Sequence, residues 1–197
     1  MTKSEIAVNI PSTLTLTVTH EQFVELAQAN RDIQLERTAT GKLIIMPPTG
    51  GKTSLRNADI SGQLWLWNSQ TKKLGVTFDS STGFHLPNDS IRSPDAAWVS
   101  LERWDALTPE QKEGFAPLCP DFVVELRSKN DTKEKLRDKM KEYLANGARL
   151  GWLIDPQTQE VEIYRPERKV ELLEKPASLS GEDVLPGFVL DLTEVWS

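Results

Sequence analysis

A mixed β-sheet flanked by helices, within the α/β class, is the architecture that this sequence predicts. From residue 53 onward the hydrophobic pattern follows the order helix, three strands, helix and strand, which is typical of a sheet covered by helices. The 197 residues are 38% hydrophobic and 26% charged, the composition of a folded protein with a substantial core. We therefore expect a single domain over residues 1–197, with its core at about residues 53–165.

The N-terminal region, residues 13–48, is predicted to form a helix and a β-hairpin. Residues 13–19 alternate leucine and valine with threonine, which indicates a short strand or an extended arm. Residues 20–30 carry apolar side chains at helical spacing, and Thr19 is a suitable N-cap. Residues 33–48 hold two apolar runs around a short turn that contains glycine, and they therefore predict a hairpin.

The two long helices of the core are predicted at residues 53–71 and 132–146. Thr53 or Ser54 could cap the first helix, and Gly147 suits the position just past the end of the second. The apolar residues of the first helix are expected to form one broad buried face: Leu55, Ile60, Leu64, Trp65, Leu66 and Trp67.

The strands of the core are predicted between and after these helices. Residues 76–86 and 93–99 indicate a hairpin, because they flank the turn-forming sequence Pro-Asn-Asp-Ser. Further strands are predicted at short apolar runs, residues 122–127, 150–154 and 161–164. The C-terminal extension, residues 166–197, is expected to be a loop with a short terminal element.

The charge and the rare residues narrow the classes of function. A net charge of −6 counts against a nucleic-acid binder driven by charge, although it leaves open a metal-dependent nuclease with a local basic patch. The single cysteine, Cys119, cannot form a disulfide within the chain, which favours a cytoplasmic location and a buried, unreactive thiol. The two histidines, His20 and His85, lack the spacing of a zinc site, and His85 is interpreted as structural. No apolar stretch is long enough to span a membrane, and the first twenty residues lack the apolar region of a signal peptide.

Two carboxylates, Asp95 and Glu125, stand in apolar segments where a charge is costly. Asp95 follows a proline at the start of one apolar strand, and Glu125 lies inside the next. A buried carboxylate needs an ionic partner or a cation. If the two strands are neighbours, both side chains could bind one magnesium ion. Alternatively, Asp95 caps a turn and Glu125 forms a buried ion pair with Arg127 or Lys139.

A lysine on the second long helix, Lys139, borders the predicted buried face. It comes three residues after Leu136 and four before Tyr143, which both belong to that face. Its ammonium group could point to the sheet and orient a water or stabilise charge on a phosphate, or it could extend into solvent. The charged run at residues 129–141 is interpreted as a phosphate-binding surface or, alternatively, as a solvated helix face.

Four segments of the chain together resemble the Uma-two family of bacterial proteins. They read Ser-Pro-Asp-Ala-Ala-Trp-Val, Pro-Asp-Phe-Val-Val-Glu-Leu-Arg-Ser, Lys-Met-Lys-Glu-Tyr with a following Asn-Gly, and Gly-Trp-Leu-Ile-Asp-Pro, at residues 93–99, 120–128, 139–147 and 151–156. The resemblance runs from about Phe23 to the C-terminus and depends on the order and spacing of these motifs. That family is regarded as part of the PD-(D/E)XK nuclease superfamily, which implies a restriction-endonuclease-like core with the element order predicted above.

The resemblance also implies a site. Asp95 matches the first motif aspartate and Glu125 the second acidic position, and these would hold magnesium, or manganese, together with the backbone carbonyl of Leu126. The superfamily usually carries a lysine two residues after that glutamate. Here Arg127 occupies that position, and arginine is a poor proton acceptor. The resemblance points instead to Lys139 as the lysine that serves the site.

Such a site implies a metal-dependent endonuclease that hydrolyses DNA. Glu36 resembles a family position that completes the acidic cluster, although it could also be a solvated hairpin residue. A homodimer is expected, because many such nucleases cut two strands with two copies. Alternatively, the acidic balance and Arg127 suggest a degenerate nuclease fold that serves as a binding or dimerisation module. A third alternative, an inert remnant, has no discriminating feature in the sequence.

Overall fold

The computed structural model describes residues 14–71 and 74–197. Its helices and strands form a mixed α/β structure, as the sequence predicts. The elements follow the chain in this order: α1 (His20–Ala29), β1 (Gln34–Arg37), β2 (Leu43–Met46), α2 (Gly51–Gln70), β3 (Gly75–Asp79), β4 (Phe84–His85), β5 (Ile91–Arg92), β6 (Ala96–Ser100), α3 (Leu101–Asp105), α4 (Pro109–Glu113), β7 (Phe122–Leu126), α5 (Lys133–Ala145), β8 (Leu150–Asp155), β9 (Glu160–Tyr164), β10 (Glu171–Glu174), β11 (Ser178–Ser180) and β12 (Val189–Asp191).

The main sheet has six strands in the order β10-β9-β8-β7-β6-β3. β7 and β8 run parallel, and the other neighbouring strands run antiparallel, so the sheet is mixed as predicted. The parallel pair is connected through α5, because a parallel pair requires a crossover and a helix commonly supplies it. This arrangement puts the two most buried strands, β7 and β8, in the middle of the sheet.

The segment predicted as one hairpin, residues 76–86 and 93–99, is divided between two sheets. β3 and β6 pair in the main sheet, whereas β4 and β5 form a short hairpin in a four-stranded sheet of order β2-β1-β5-β4. The prediction of one hairpin was therefore wrong, because the chain leaves the main sheet after β3 and returns to it at β6. The turn between β4 and β5 does lie at the predicted Pro-Asn-Asp-Ser sequence.

The N-terminal elements agree with the prediction, which left either a short strand or an extended arm for the first segment. Thr19 caps α1 through a capping box with Gln22, and β1 pairs with β2 in the expected hairpin. Residues 14–19 form an extended arm with one bridge, between Thr17 and Lys42, rather than a strand. Thr13, the first residue of that segment, lies outside the described residues.

Helix α2 buries a narrower face than the sequence suggested. Ile60, Leu64 and Trp67 are buried, but Leu55, Trp65 and Leu66 are exposed, because only the first three fall on one arc at helical spacing. The helix begins after Gly50 with no side-chain cap, so the prediction of Thr53 or Ser54 as the cap was wrong.

Two hydrophobic cores lie on the two faces of the main sheet. α2 packs on one face and α5 on the other. The C-terminal extension also contributes to the core on the α2 face, through Leu179, Leu185, Phe188, Leu190, Leu192 and Val195. The expectation of a C-terminal loop was therefore wrong: β10 extends the main sheet, and β11 pairs with β12. Within the described ranges, no helix is long and apolar enough to cross a membrane.

Candidate functional site

The candidate site lies at the ends of β6 and β7, where α2 and α5 approach from the two faces of the sheet. β6 pairs with β7 so that Ala96 lies opposite Val124. One residue further out, Asp95 and Glu125 are therefore adjacent across the two strands. The N–H of Asp95 donates to the carbonyl of Val124 at 3.0 Å, which fixes the backbone at this point.

Asp95 is held by groups from α2 and from β7. Its Oδ1 accepts a hydrogen bond from the side-chain amide of Asn57 at 2.9 Å, and its Oδ2 accepts one from the N–H of Leu126 at 2.7 Å. Burial raises the pKa of Asp95, while the Leu126 N–H and the charge of Lys139 oppose that shift. Leu126 thus contacts Asp95 through a donor, and metal binding by its carbonyl stays a prediction.

Glu125 is buried, and its neighbours come from α5. Its Oε1 lies 2.8 Å from the ammonium of Lys139 and accepts a hydrogen bond from the Tyr143 hydroxyl at 3.0 Å. Burial raises the pKa of Glu125 to about 8, and repulsion from Asp95 and Glu36 adds to the shift although Lys139 opposes it. The site therefore places three carboxyl groups around one ammonium group, and Glu125 keeps its proton at neutral pH.

Lys139 points into the molecule rather than into solvent. Its Nζ lies 2.7 Å from Glu36 and 2.8 Å from Glu125, and it donates to the carbonyl of Ser93 at 3.1 Å. Burial lowers the pKa of this lysine, but the two carboxylates outweigh burial and raise it. The interpretation of Lys139 as a solvent-directed lysine was therefore wrong.

Glu36 is 2% exposed, so its interpretation as a solvated residue was wrong. Its Oε1 accepts from the N–H of Ser93 at 2.9 Å, and its Oε2 lies 3.1 Å from the guanidinium of Arg92. Burial raises the pKa of Glu36, but Lys139 and Arg92 outweigh burial and hold that pKa below its ordinary value. Glu36 is therefore an ionised counter-ion of Lys139 in this structure.

Arg127 lies away from the carboxylate pair. Arg127 directly follows β7, and its N–H donates to the carbonyl of Ile154 in β8 at 2.8 Å. Its guanidinium lies 2.8 Å from Asp155, and its Nε donates to the carbonyl of Asp131 at 3.1 Å. An ion pair between Glu125 and Arg127, which the sequence left open, was therefore wrong. The alternative pair between Glu125 and Lys139 does form.

The donor set at Asp95 and Glu125 fits a hard divalent cation. Carboxylate oxygens are the ligands that magnesium prefers. The Oδ1 of Asn57 adds a buried oxygen with no hydrogen-bond partner among the described residues. Among the described residues, no third acidic side chain forms a group with Asp95 and Glu125 in which all ligand atoms lie within 4.8 Å of one another. The residues present therefore fit a cation held by two carboxylates, whereas Glu36 is bound to Lys139 and Arg92.

Sequence reasoning missed Asn57 and the role of Tyr143. Asn57 has a detectable signal, because it precedes Ile60 and Leu64 by three and seven residues on the buried arc of α2. A polar residue on such an arc needs a buried partner. For Tyr143, the sequence predicts only a place on the buried face of α5. The hydrogen bond from its hydroxyl to Glu125 depends on tertiary packing.

A basic groove borders the site. It is lined by residues from the start of α2 and from the loops after β7 and β8: Gly50, Gly51, Lys52, Thr53, Arg56, Arg127, Lys129, Pro156 and Gln157. In the charged run at 129–141, Lys133 and Arg137 are ion-paired with Glu160 and Glu162. Of the charged run, Lys129 therefore lies in the groove, where it could contact a phosphate, whereas Lys133 and Arg137 on α5 are already bound to carboxylates.

Comparison with known proteins identifies a family for the chain and a solved structure with the same fold. The model of the Uma2 (Uma-two) family, described as "Putative restriction endonuclease", matches residues 20–193. A crystal structure from Anabaena variabilis ATCC 29413, described as "a putative nuclease belonging to DUF820", superimposes with a TM-score of 0.74. The two chains are 22% identical, and the match covers 91% of this chain and 97% of the other, so they share a fold. No curated protein matches the sequence.

Proposed function

The chain belongs to the Uma2 family, and from this premise we propose that it is a metal-dependent endonuclease that hydrolyses the phosphodiester bonds of DNA. The observation that carries the proposal is the pair Asp95 and Glu125, two acidic groups at adjacent strand ends that repel each other inside the protein. A divalent cation relieves such repulsion. We propose Mg²⁺ in this role, with Mn²⁺ as a substitute.

Each carboxylate of the pair has a partner that fixes its orientation. Asn57 holds Asp95 from α2, and Tyr143 holds Glu125 from α5. These contacts keep the two ligands in place before a cation binds, with the carbonyl of Leu126 as a proposed further ligand. When bound, Mg²⁺ would polarise the scissile phosphate and lower the pKa of a bound water.

Lys139 supplies the positive charge beside the two carboxylates. We assign it the role of orienting the attacking water or neutralising charge on the phosphate. It is not a proton acceptor, because its ion pairs raise its pKa and keep it protonated. Glu36 binds the same ammonium group and is therefore a positioning residue for Lys139.

The basic groove is the proposed path of the DNA backbone. Lys52, Arg56 and Lys129 line it, and Arg56 directly precedes Asn57, the residue that holds Asp95. Because the net charge of the chain is −6, binding would depend on these local cations. Three phosphate contacts predict that the logarithm of the affinity falls with the logarithm of salt with a slope of about −3.

The test is cleavage of supercoiled plasmid DNA by tag-free protein with Mg²⁺ or Mn²⁺. Wild type should cleave, and Asp95→Asn should lose activity by about 100-fold or more. Asp138→Asn is the matched control, because Asp138 is exposed on α5 and pairs only with Lys141 among the described residues. No cleavage by wild type, or equal cleavage by Asp95→Asn, would remove the nuclease proposal.

A second candidate function is a degenerate nuclease fold that acts as a binding or dimerisation module. The pairing of Lys139 with both Glu125 and Glu36 favours it, because a lysine bound in this way already neutralises part of the site. Leu55 and Leu66 lie on the outer side of α2 and are exposed, which suits a homodimer contact. Light scattering that gives a monomer mass would contradict the homodimer. Both the homodimer and the cytoplasmic location stay predictions.

A further inference from the structure

The two histidines of the chain meet in space, together with one aspartate. His20 is the first residue of α1, His85 lies in β4, and Asp89 lies in the turn that follows. The Nε2 of His85 is 2.9 Å from the Oδ1 of Asp89, and the Nδ1 of His20 is 4.0 Å from the same oxygen. One possible ligand atom from each residue lies within 4.8 Å of the other two.

Hydrogen bonding explains His85 but not His20. His85 and Asp89 form a direct pair, which is an ordinary structural role for a histidine. The Nδ1 of His20, in contrast, is buried and has no hydrogen-bond partner in the described part of the chain. An unpaired buried nitrogen is costly, and a metal ion is one partner that an imidazole lone pair can take.

The charges around the cluster leave one oxygen of Asp89 available. Arg37 lies 3.0 Å from its Oδ2, so the guanidinium engages that oxygen while the two histidines face Oδ1. Glu21 lines the same pocket and adds a second negative charge. Arg37 and the start of α1 add positive charge, which opposes a dication, and the carboxylates of Asp89 and Glu21 act against that opposition.

We propose that His20, His85 and Asp89 form a second metal site, which binds a late transition-metal dication such as Zn²⁺. Nitrogen donors select zinc and its neighbours over magnesium or calcium. Two bonds of about 2.1 Å at a tetrahedral angle separate ligand atoms by about 3.4 Å, and the separations of 2.9 and 4.0 Å lie on either side of that value. All three residues line the same pocket, from which a water molecule would complete the coordination.

The consequence of binding is a crosslink between distant parts of the chain. The metal would tie the start of α1 to the β4–β5 hairpin, which are more than sixty residues apart. A ligand that binds only the folded chain raises the free energy of unfolding. At a free Zn²⁺ concentration of about 100 times the Kd, the melting temperature should rise by roughly 5–10 °C.

The experiment is calorimetric titration of tag-free protein with Zn²⁺. Wild type should bind one equivalent, and His20→Gln and His85→Gln should each weaken binding by about 10-fold or more. Because these are the only two histidines in the sequence, no other imidazole of the chain can bind the added Zn²⁺. Asp95→Asn should leave Zn²⁺ binding unchanged, which separates this site from the proposed nuclease centre.

A second readout does not depend on how well the variants fold. Co²⁺ added to wild type should give the strong visible absorption of a tetrahedral ion with nitrogen ligands, and Zn²⁺ should displace it. The proposal is overturned if wild type binds no Zn²⁺, if His85→Gln folds and binds it unchanged, or if only Asp95→Asn abolishes binding.

Discussion

We propose two metal sites among the described residues, the carboxylate centre (Asp95 and Glu125) and the histidine cluster (His20, His85 and Asp89). They differ in burial, in donor atoms and in the way each is held. Asp95 and Glu125 sit at strand ends between two helices, offer oxygen, and depend on a buried lysine for charge balance. His20, His85 and Asp89 lie at a helix start and a turn, offer nitrogen and oxygen, and remain partly open to solvent. Burial raises the pKa values of both carboxyl groups in the first cluster, whereas the second carries one unpaired nitrogen, the Nδ1 of His20.

This difference determines what each cluster does without a cation. In the carboxylate centre, burial raises the pKa values of Asp95 and Glu125, and repulsion from Asp95 and Glu36 adds to the shift of Glu125, so Lys139 is needed for stability. In the histidine cluster, the cost of lacking a metal is confined to the unpaired Nδ1 of His20. We therefore expect substitutions in the carboxylate centre to affect folding and metal binding together, and those in the histidine cluster to affect mainly metal binding.

The largest effect is expected for Lys139→Met. This change leaves Glu36 and Glu125 buried without their shared cation, and it should lower the free energy of unfolding by about 3–5 kcal/mol. Lys141→Met is the control, because Lys141 is exposed on the same helix and should change stability by less than about 0.5 kcal/mol. Urea denaturation measures both, and equal stabilities would contradict the assigned role of Lys139.

A smaller effect is expected in the pH dependence of stability. Between pH 4.5 and about 8, the folded chain keeps a proton on Glu125 that the unfolded chain has lost. Raising the pH through this interval therefore lowers the free energy of unfolding. Glu36 has the opposite sign: its lowered pKa adds stability above pH 4.5, which is lost as the pH falls further.

Denaturation across this pH range, in the absence of metal, measures the two contributions. Glu125→Gln should flatten the fall above pH 4.5, since glutamine cannot titrate. Added Mg²⁺ should also reduce the fall, because a cation favours the ionised carboxylates. A wild-type slope that matches that of Glu125→Gln would show that Glu125 does not titrate in this range.

The smallest effect is expected for Asn57→Ala. The change removes the hydrogen bond to Oδ1 of Asp95 and should weaken Mg²⁺ binding by about 10-fold, with a stability loss of about 1 kcal/mol. Zn²⁺ binding at the histidine cluster should stay the same, since Asn57 does not contact it. Asn68→Ala provides a comparison on the same helix, because Asn68 bonds to Trp98 and to the Gly75 carbonyl instead. Equal Mg²⁺ affinities in the two variants would contradict a positioning role for Asn57.

The sequence predicts the carboxylate centre better than the histidine cluster, for a physical reason. Asp95 and Glu125 interrupt apolar strands, and a charge in such a strand demands a partner. His20 and His85 lie in segments with ordinary polar neighbours, and only the packing of α1 on the hairpin brings them together. Because His20 and His85 come close only in the folded chain, no pattern in the local sequence indicates the cluster.

The same contrast explains the errors in the fold. The mixed sheet and α5 follow from strong local periodicity, and the sequence predicts both. The exposed side of α2 and the burial of the C-terminal extension depend on which surfaces the rest of the chain covers. Leu66 and Leu190 have the same side chain, yet Leu66 is exposed and Leu190 fully buried. Glu36 is likewise buried because Arg92 and Lys139 reach it from elements that are distant in sequence.

The most direct test of the carboxylate centre is a count of Mn²⁺ ions bound by tag-free protein, followed by electron paramagnetic resonance. Wild type should bind Mn²⁺ at the centre, both Asp95→Asn and Glu125→Gln should abolish that binding, and His85→Gln should retain it. Such a result would mean that the two carboxylates share the ion. Retention of that binding in either carboxylate variant, with the variant folded, would contradict the shared site.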